Sequence, residues 1–383
     1  MQTRTRWRWA AGLAVLTVLG LSGCGGGNEA LPPKASISKV YVMGDSLADV
    51  GTFGYKFTVQ DASNPKGYPI WPQLVANNYG LDGSAQCNVF AFAGSTFGLN
   101  SASGCTNFAI GGARIIAGAS NGGASSPMNV GVQMATRASA GSYATTDLVL
   151  IDGGGNDAAD LVSAYLGASS NPAAFQTFLL QQLDATTLAA LLPQANGAAV
   201  AAGAYMQALA DTFAAQITTQ VLNKGANHVV VLNAPDITLT PRFQMVLAGV
   251  SAQAGAATAS ALQGAIRQWL GAFNSKLAAN FAGNAKVAVV DFYGDFTSEV
   301  NAPASYSLSN ATQASCPVTG VDASGLPDYN FLACTSTALN ATAGKAADWW
   351  KSYAFSDGFH PTPYGHQLMA ASVSRVLARA GWL

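Results

Sequence analysis

Four short apolar runs constrain the fold of this chain more than anything else in it: Val40–Met43, Leu148–Ile151, Val229–Leu232 and Val287–Val290. Each run is continuous rather than alternating, so both faces of each segment are buried. That is the habit of parallel strands covered by helices on both sides. Helical stripes lie between the runs. Tyr205, Leu209, Phe213, Ile217 and Val221 recur every four residues ahead of the third run, and Leu262, Ile266, Trp269, Phe273, Leu277 and Phe281 recur every three or four ahead of the fourth. Such rows make one apolar helix face, and core packing accounts for them. A closing helix starts at Thr362-Pro363, with Thr as the cap and Pro in the first helical position. Strand and helix in alternation predict an α/β chain with a doubly wound, mostly parallel sheet. Thr52 to Thr106, Ala117 to Gly131 and Ser298 to Lys351 break the rhythm, and we read the first and third as disulfide-stapled excursions over the sheet edge.

The N-terminus is a separate matter. Arg4, Arg6 and Arg8 precede an apolar run of 12 residues from Ala10 to Leu21, shorter than the ~20 that a membrane span needs. A basic start, a short greasy stretch and small residues predict a secretory signal over 1–23. Leu21-Ser22-Gly23-Cys24 resembles the bacterial lipobox, in which the Cys is freed and lipidated. No Ala-x-Ala cleavage site competes with it, and Gly25 to Gly27 supply a tether. A lipid on Cys24 would hold the protein to a membrane without spanning it. The expected organisation is a signal over 1–23, a lipidated N-terminus and linker over 24–36, and one domain over 37–383. The protein would then be exported, as an outer-membrane or cell-surface lipoprotein, or otherwise periplasmic or secreted.

Charge excludes several functions. Only 10% of residues are charged, against about 25% in ordinary soluble domains. Without residues 1–23 the chain has 15 basic and 19 acidic residues, net −4. No basic patch of the kind nucleic acid requires is left. The cysteines other than Cys24 are Cys87, Cys105, Cys316 and Cys334. An even number in an exported chain predicts two disulfides with three possible connectivities. The local pairs have equal separations of 18, and each would contribute about 3 kcal/mol by loop closure. Zinc fits poorly, because no Cys-x-x-Cys occurs and the three histidines are scattered. No metal or cofactor is called for.

Chemistry concentrates in four places. The first run leads into Gly44-Asp45-Ser46-Leu47, which puts a serine at the C-terminal end of a strand and about to open a helix, where open α/β sheets bind ligands. Asp357-Gly358-Phe359-His360-Pro361 sets an Asp three residues before a His on one loop, so the carboxylate can orient the imidazole that would take a serine proton. His228, abutting an apolar strand, and His366, one to two turns into the closing helix, read as structural. Gly153-Gly154-Gly155-Asn156-Asp157 follows the second run. Glycines let backbone approach a ligand, and an Asn amide can donate to a developing oxyanion. The same letters fit a dinucleotide fingerprint, but not in the opening βα unit where that motif belongs. Asn107-Phe108-Ala109-Ile110-Gly111-Gly112-Ala113 alone would pass for a strand entering a turn.

In this order the four pieces resemble the blocks of the GDSL or SGNH hydrolase family. Gly44-Asp45-Ser46-Leu47 matches block one, Asn107 to Ala113 block two, Gly154-Gly155-Asn156-Asp157 block three, and Asp357-x-x-His360-Pro361 the last. The resemblance runs from Val40 to the C-terminus, and Tyr68-Pro-Ile-Trp71-Pro72 and Phe273-Asn274 look like segments of the bacterial lipase-like branch. It implies a three-layer α/β/α, flavodoxin-like fold with long loop insertions. It also implies an ester hydrolase with Ser46 as nucleophile, His360 as general base and Asp357 as its partner. The oxyanion hole would be the N–H of Ser46, the N–H of Gly112 (with Gly111 as the fallback) and the amide of Asn156. Asp45, Asp49 and Asp157 are expected to brace their turns. The substrate would be an ester or lipid, turned over through an acyl-enzyme. Phospholipase A, lysophospholipase, acyltransferase, carbohydrate O-deacetylase and a non-catalytic surface lipoprotein are the alternatives. Phe53, Tyr55, Phe57, Tyr68 and Trp71 would either line an acyl site or pack a loop onto the sheet.

Overall fold

The structure, a computed structural model, describes residues 35–383. The expected signal, the lipidation site at Cys24 and the linker through residue 34 lie outside the described residues. The four apolar runs form one parallel sheet, β1 (Lys39–Met43), β2 (Asp147–Ile151), β3 (His228–Leu232) and β4 (Val287–Val290), with neighbours in that order. Val40 lies opposite Leu148, and Leu150 opposite Val230.

Successive residues of a strand point to opposite faces, and both faces here are covered. Val149, Ile151, Val229 and Val231 face an apolar layer that includes Phe213, Ile217, Phe273 and Leu277. These come from the long helices Gly197–Gln220 and Ala256–Asn280. Leu148, Leu150, Val230 and Leu232 face the other layer, with Trp71, Phe296, Val373 and Leu377. Those side chains sit on helices Trp71–Asn77, Phe292–Asn301 and Pro363–Arg379. The fold is therefore α/β/α in three layers. The closing helix begins as expected, with the Thr362 side chain accepting from the Gly365 N–H at 3.1 Å.

Residues 106–110 line the outer edge of the sheet without forming a regular strand. Val42 donates its N–H to Thr106 O (3.0 Å) and accepts from Phe108 N (2.7 Å), and Ile110 N donates to Gly44 O (3.2 Å). Residues 106–110 thus run parallel to β1 on its outer side. The chain passes from β1 outward to this edge and then returns to β2 on the other side. The ends of β1 and β2 therefore form the switch point at which such sheets open a crevice.

The two long excursions meet one another rather than lying separately over the edge. Val59 packs with Phe331, Leu339 and Trp350 in a third apolar cluster. Cys87 is joined to Cys105 and Cys316 to Cys334, the local connectivity. Among the described residues no helix is long and apolar enough to cross a membrane.

Candidate active site

Ser46 sits just beyond β1 on a turn gripped from three sides. Gly44 donates to Gln133 Oε1 (2.8 Å) and accepts from Gln133 Nε2 (3.0 Å). Asp45 N donates to Asp152 Oδ1 (2.8 Å), and Leu47 N to Asp45 Oδ1 (3.0 Å). A Cβ on Gly44 would lie 1.8 Å from Asp152 Oδ1, so no side chain fits there. The helix expected at Ser46 does not form; only a single turn closes, Ala48 N to Asp45 O at 3.1 Å. The reason is Asp49. Its Oδ1 takes the N–H groups of Gly51 and Thr52, both at 2.8 Å, and such local capture competes with helix.

The C-terminal loop brings its Asp and His to this serine. His360 Nε2 is 2.8 Å from Ser46 Oγ, and His360 Nδ1 is 2.8 Å from Asp357 Oδ2. The other Asp357 oxygen accepts from Phe359 N (2.8 Å) and His360 N (2.6 Å). Burial acts to raise the Asp357 carboxyl, but the His360 ring and these two N–H donors outweigh it and hold the group below its ordinary range.

Donors gather on the other side of Ser46. Helix Gly155–Leu166 starts after Gly154, which has φ +98° and whose Cβ would press against the Phe273 ring at 3.1 Å. Asn156 is the second residue of that helix, and its Nδ2 donates to Ala113 O (2.9 Å) and, more loosely, to Asp45 Oδ2 (3.3 Å). Gly111 donates its N–H to Asp49 Oδ2 at 2.8 Å. Among the described residues the N–H groups of Gly112 and Ser46 have no protein acceptor. Ser46, Gly112, Asn156 and His360 all line one open cleft of about 770 Å³.

A family model for GDSL-like lipase/acylhydrolase matches residues 40–373. The chain belongs to that family. No curated protein sequence matches it. Among the solved structures that match is phospholipase A1 from Streptomyces albidoflavus NA297, 16% identical, covering 89% of this chain and 99% of that one with a TM-score of 0.41. Membership makes the chain an ester-hydrolysing enzyme.

In this GDSL-like enzyme the three supporting aspartates all brace turns. Asp49 ties the Ser46 turn to block two and also accepts from Asn88 Nδ2 at 2.6 Å. Asp157 accepts from Ile115 N (3.0 Å) and Ile116 N (3.3 Å), and burial pushes its carboxyl up to about 7. Burial also raises Asp45 and Asp49. Of the aromatics after the nucleophile, only Phe57 lines the cleft, its ring 5.0 Å from that of His360. Trp71 is wholly buried in the core, and Tyr68 packs on Trp350. Phe53 packs against Phe92 and Phe97.

Asp152, Gln133 and Asn88 were not singled out in the sequence. Asp152 carried a signal, an acid placed directly after the apolar run Leu148–Ile151; Gln133 and Asn88 carried none. Sequence reading also passed over Gly118-Ala119-Ser120-Asn121-Gly122, which has the Gly-x-Ser-x-Gly letters of a nucleophile elbow. It forms a short 3₁₀ turn with Ser120 exposed, away from any strand end.

The other histidines stay out of the cleft. His228 opens β3 with its ring edge-on to Trp382, in the structural place expected of it. His366 is buried with neither ring nitrogen partnered, and burial, followed by the charges of His360 and Lys56, pushes it down to about 3. Between pH 6.5 and 3 the unfolded chain therefore binds a proton that the folded chain refuses, so stability is lost as pH falls through that window. At pH 5 the loss is about 2 kcal/mol. His366→Phe should shrink the fall in melting temperature between pH 8 and pH 5, and parallel pH curves for variant and parent would refute this.

Proposed function

We propose that this enzyme is an exported serine carboxylic ester hydrolase, held to a membrane by a lipid on Cys24, that works through an acyl-enzyme on Ser46. The continuous contact from Asp357 through His360 to Ser46, both links 2.8 Å, carries the reading. His360 Nε2 takes the Ser46 proton as Oγ attacks the ester carbonyl carbon. The carbonyl oxygen becomes an oxyanion and accepts from the N–H groups of Ser46 and Gly112 and from Asn156 Nδ2, which exchanges its loose 3.3 Å contact with Asp45 Oδ2 for the oxyanion. The Gly112 assignment over Gly111 is supported by the Gly111 N–H already being engaged by Asp49. The Asp357 carboxylate stabilises the imidazolium. His360 then returns the proton to the leaving alkoxide, alcohol departs, and water repeats the sequence to release the acid.

The Asn156 role has a direct measure. Asn156→Ala should lower kcat on p-nitrophenyl butanoate by roughly 10²–10³-fold with little change in KM, the loss expected for one oxyanion donor. Unchanged kcat would take Asn156 out of the hole. Fractionating cells that export the protein tests the anchor. Ester hydrolysis should sediment with membranes, and activity confined to the soluble fraction would remove Cys24 from the reading.

A further inference from the structure

We infer that the substrate's acyl chain lies along a groove running from Ser46 between helices Gly155–Leu166 and Pro241–Ala254, so that long-chain acyl esters are the preferred substrates. This deepens the ester-hydrolase reading and rests on it. The cleft at Ser46 shares Leu166 and Val250 with a second groove of about 740 Å³, so the two adjoin there.

One wall of the proximal part is a single helix face. Asn156, Ala159, Val162 and Leu166 are three or four residues apart and line it, with Asp160 and Ser163 beside them; that spacing keeps the apolar members on one side of the helix. The row starts at the proposed oxyanion donor and ends about 15 Å away at 1.5 Å per residue. The opposite wall includes Met245 and Val250. Leu166 and Met245 are 43% and 44% exposed, large apolar side chains turned out of the core. An extended chain advances roughly 1.2 Å per bond, so about a dozen carbons reach Leu166 and longer chains enter the second groove.

The leaving oxygen must face His360 Nε2 to be protonated, and the helix row leads away from Asn156 rather than from His360, so the groove is assigned to the acyl part; because His360 lines the same cleft, hexadecyl acetate reads the alcohol arm separately. A smaller pocket that shares Ser46, Asn156 and Phe359 with the cleft and adds Leu47, Leu232 and Ile237 holds only about 40 Å³, too small for such a chain.

Two glycines permit a clean test. A Cβ at Gly249, in the proximal groove, or at Gly264, in the distal one, meets nothing within 4 Å, so a tryptophan there enters open space. In the parent, kcat/KM should rise from butanoyl to hexadecanoyl p-nitrophenyl esters, since each buried methylene is worth up to roughly fourfold. Gly249→Trp should cut hexadecanoyl turnover at least tenfold more than butanoyl turnover, with an unchanged melting temperature as the folding control. Gly264→Trp should cut hexadecanoyl but spare dodecanoyl. Unchanged hexadecanoyl turnover in both variants, or loss confined to hexadecyl acetate, would overturn the inference. Butanoyl hydrolysis that survives in Ser46→Ala would instead overturn the ester-hydrolase reading beneath it.

Discussion

Ser46→Ala is expected to lower kcat on short p-nitrophenyl esters by roughly 10⁴–10⁶-fold, the scale on which a nucleophile acting as a unit with its base is lost. The size follows from where the oxygen stands. Among the described residues Ser46 Oγ is the only hydrogen-bond partner of His360 Nε2, and without it His360 has no proton to take in forming an acyl-enzyme. Binding should survive, because the groove walls and the Gly112 and Asn156 donors do not depend on the hydroxyl. Folding should survive too. The turn is held through the backbone of Gly44 and Asp45 by Gln133 and Asp152, so the melting temperature should move by the equivalent of less than about 0.5 kcal/mol. Labelling by a fluorophosphonate probe should disappear together with turnover. A variant that keeps a hundredth of parental kcat, or that still takes the label, removes Ser46 from the nucleophile's place.

The parts of the fold that could be read in advance were those written by neighbours in sequence. The four apolar runs match the four central strands to within a residue, because continuous burial on two faces leaves an unbroken apolar string. The Asp357 and His360 pair was readable because both members lie on one loop. Long-range partnerships left no such trace. The edge segment over 106–110 lacks an apolar run as long as those of the central strands and is followed by two glycines; it lies along the sheet because β1 offers it a free row of donors and acceptors. The Ser46 turn looked like a helix start because Asp49, which prevents one, binds N–H groups that any sequence would have. Val59 finds Phe331 and Trp350 from the far end of the chain, so the joining of the two excursions had no local sign.

That joining explains why the disulfides matter to a site they do not touch. The Cys87–Cys105 bridge frames Asn88, whose amide holds Asp49, and Asn107, whose Nδ2 donates to Ala48 O at 2.8 Å. The second bridge backs the other half. Cys316 N donates to Ser356 O (2.7 Å), next to Asp357, while Cys334 O accepts from Gln60 N (2.8 Å) in the excursion that carries Phe57. Each staple thus stiffens the loop behind one partner of the serine–histidine contact. Catalytic geometry placed on loops gains most from such support, because small misplacements are costly in rate.

Asp357→Asn tests that geometry most sharply, and kcat should fall by about 10⁴-fold with KM and fold preserved. The argument is one of hydrogen-bond direction. Asp357 Oδ1 accepts two backbone N–H groups, from Phe359 and His360. An asparagine must put its oxygen in that place to keep both, which turns its NH₂ toward His360 Nδ1. Nδ1 then has to accept, so the ring carries its proton on Nε2 and can no longer take one from Ser46 Oγ. The loss is one of tautomer, not of shape. Asp357→Ala should differ, because it also releases the two N–H groups that set the loop and should therefore lower the melting temperature as well as kcat. Since the His360 ring and its N–H donors outweigh burial and hold the Asp357 carboxyl below its ordinary range, the group is a carboxylate at neutral pH, and the deficit of Asp357→Asn should be present there. A loss smaller than tenfold at pH 7 would mean that His360 is oriented by something other than Asp357.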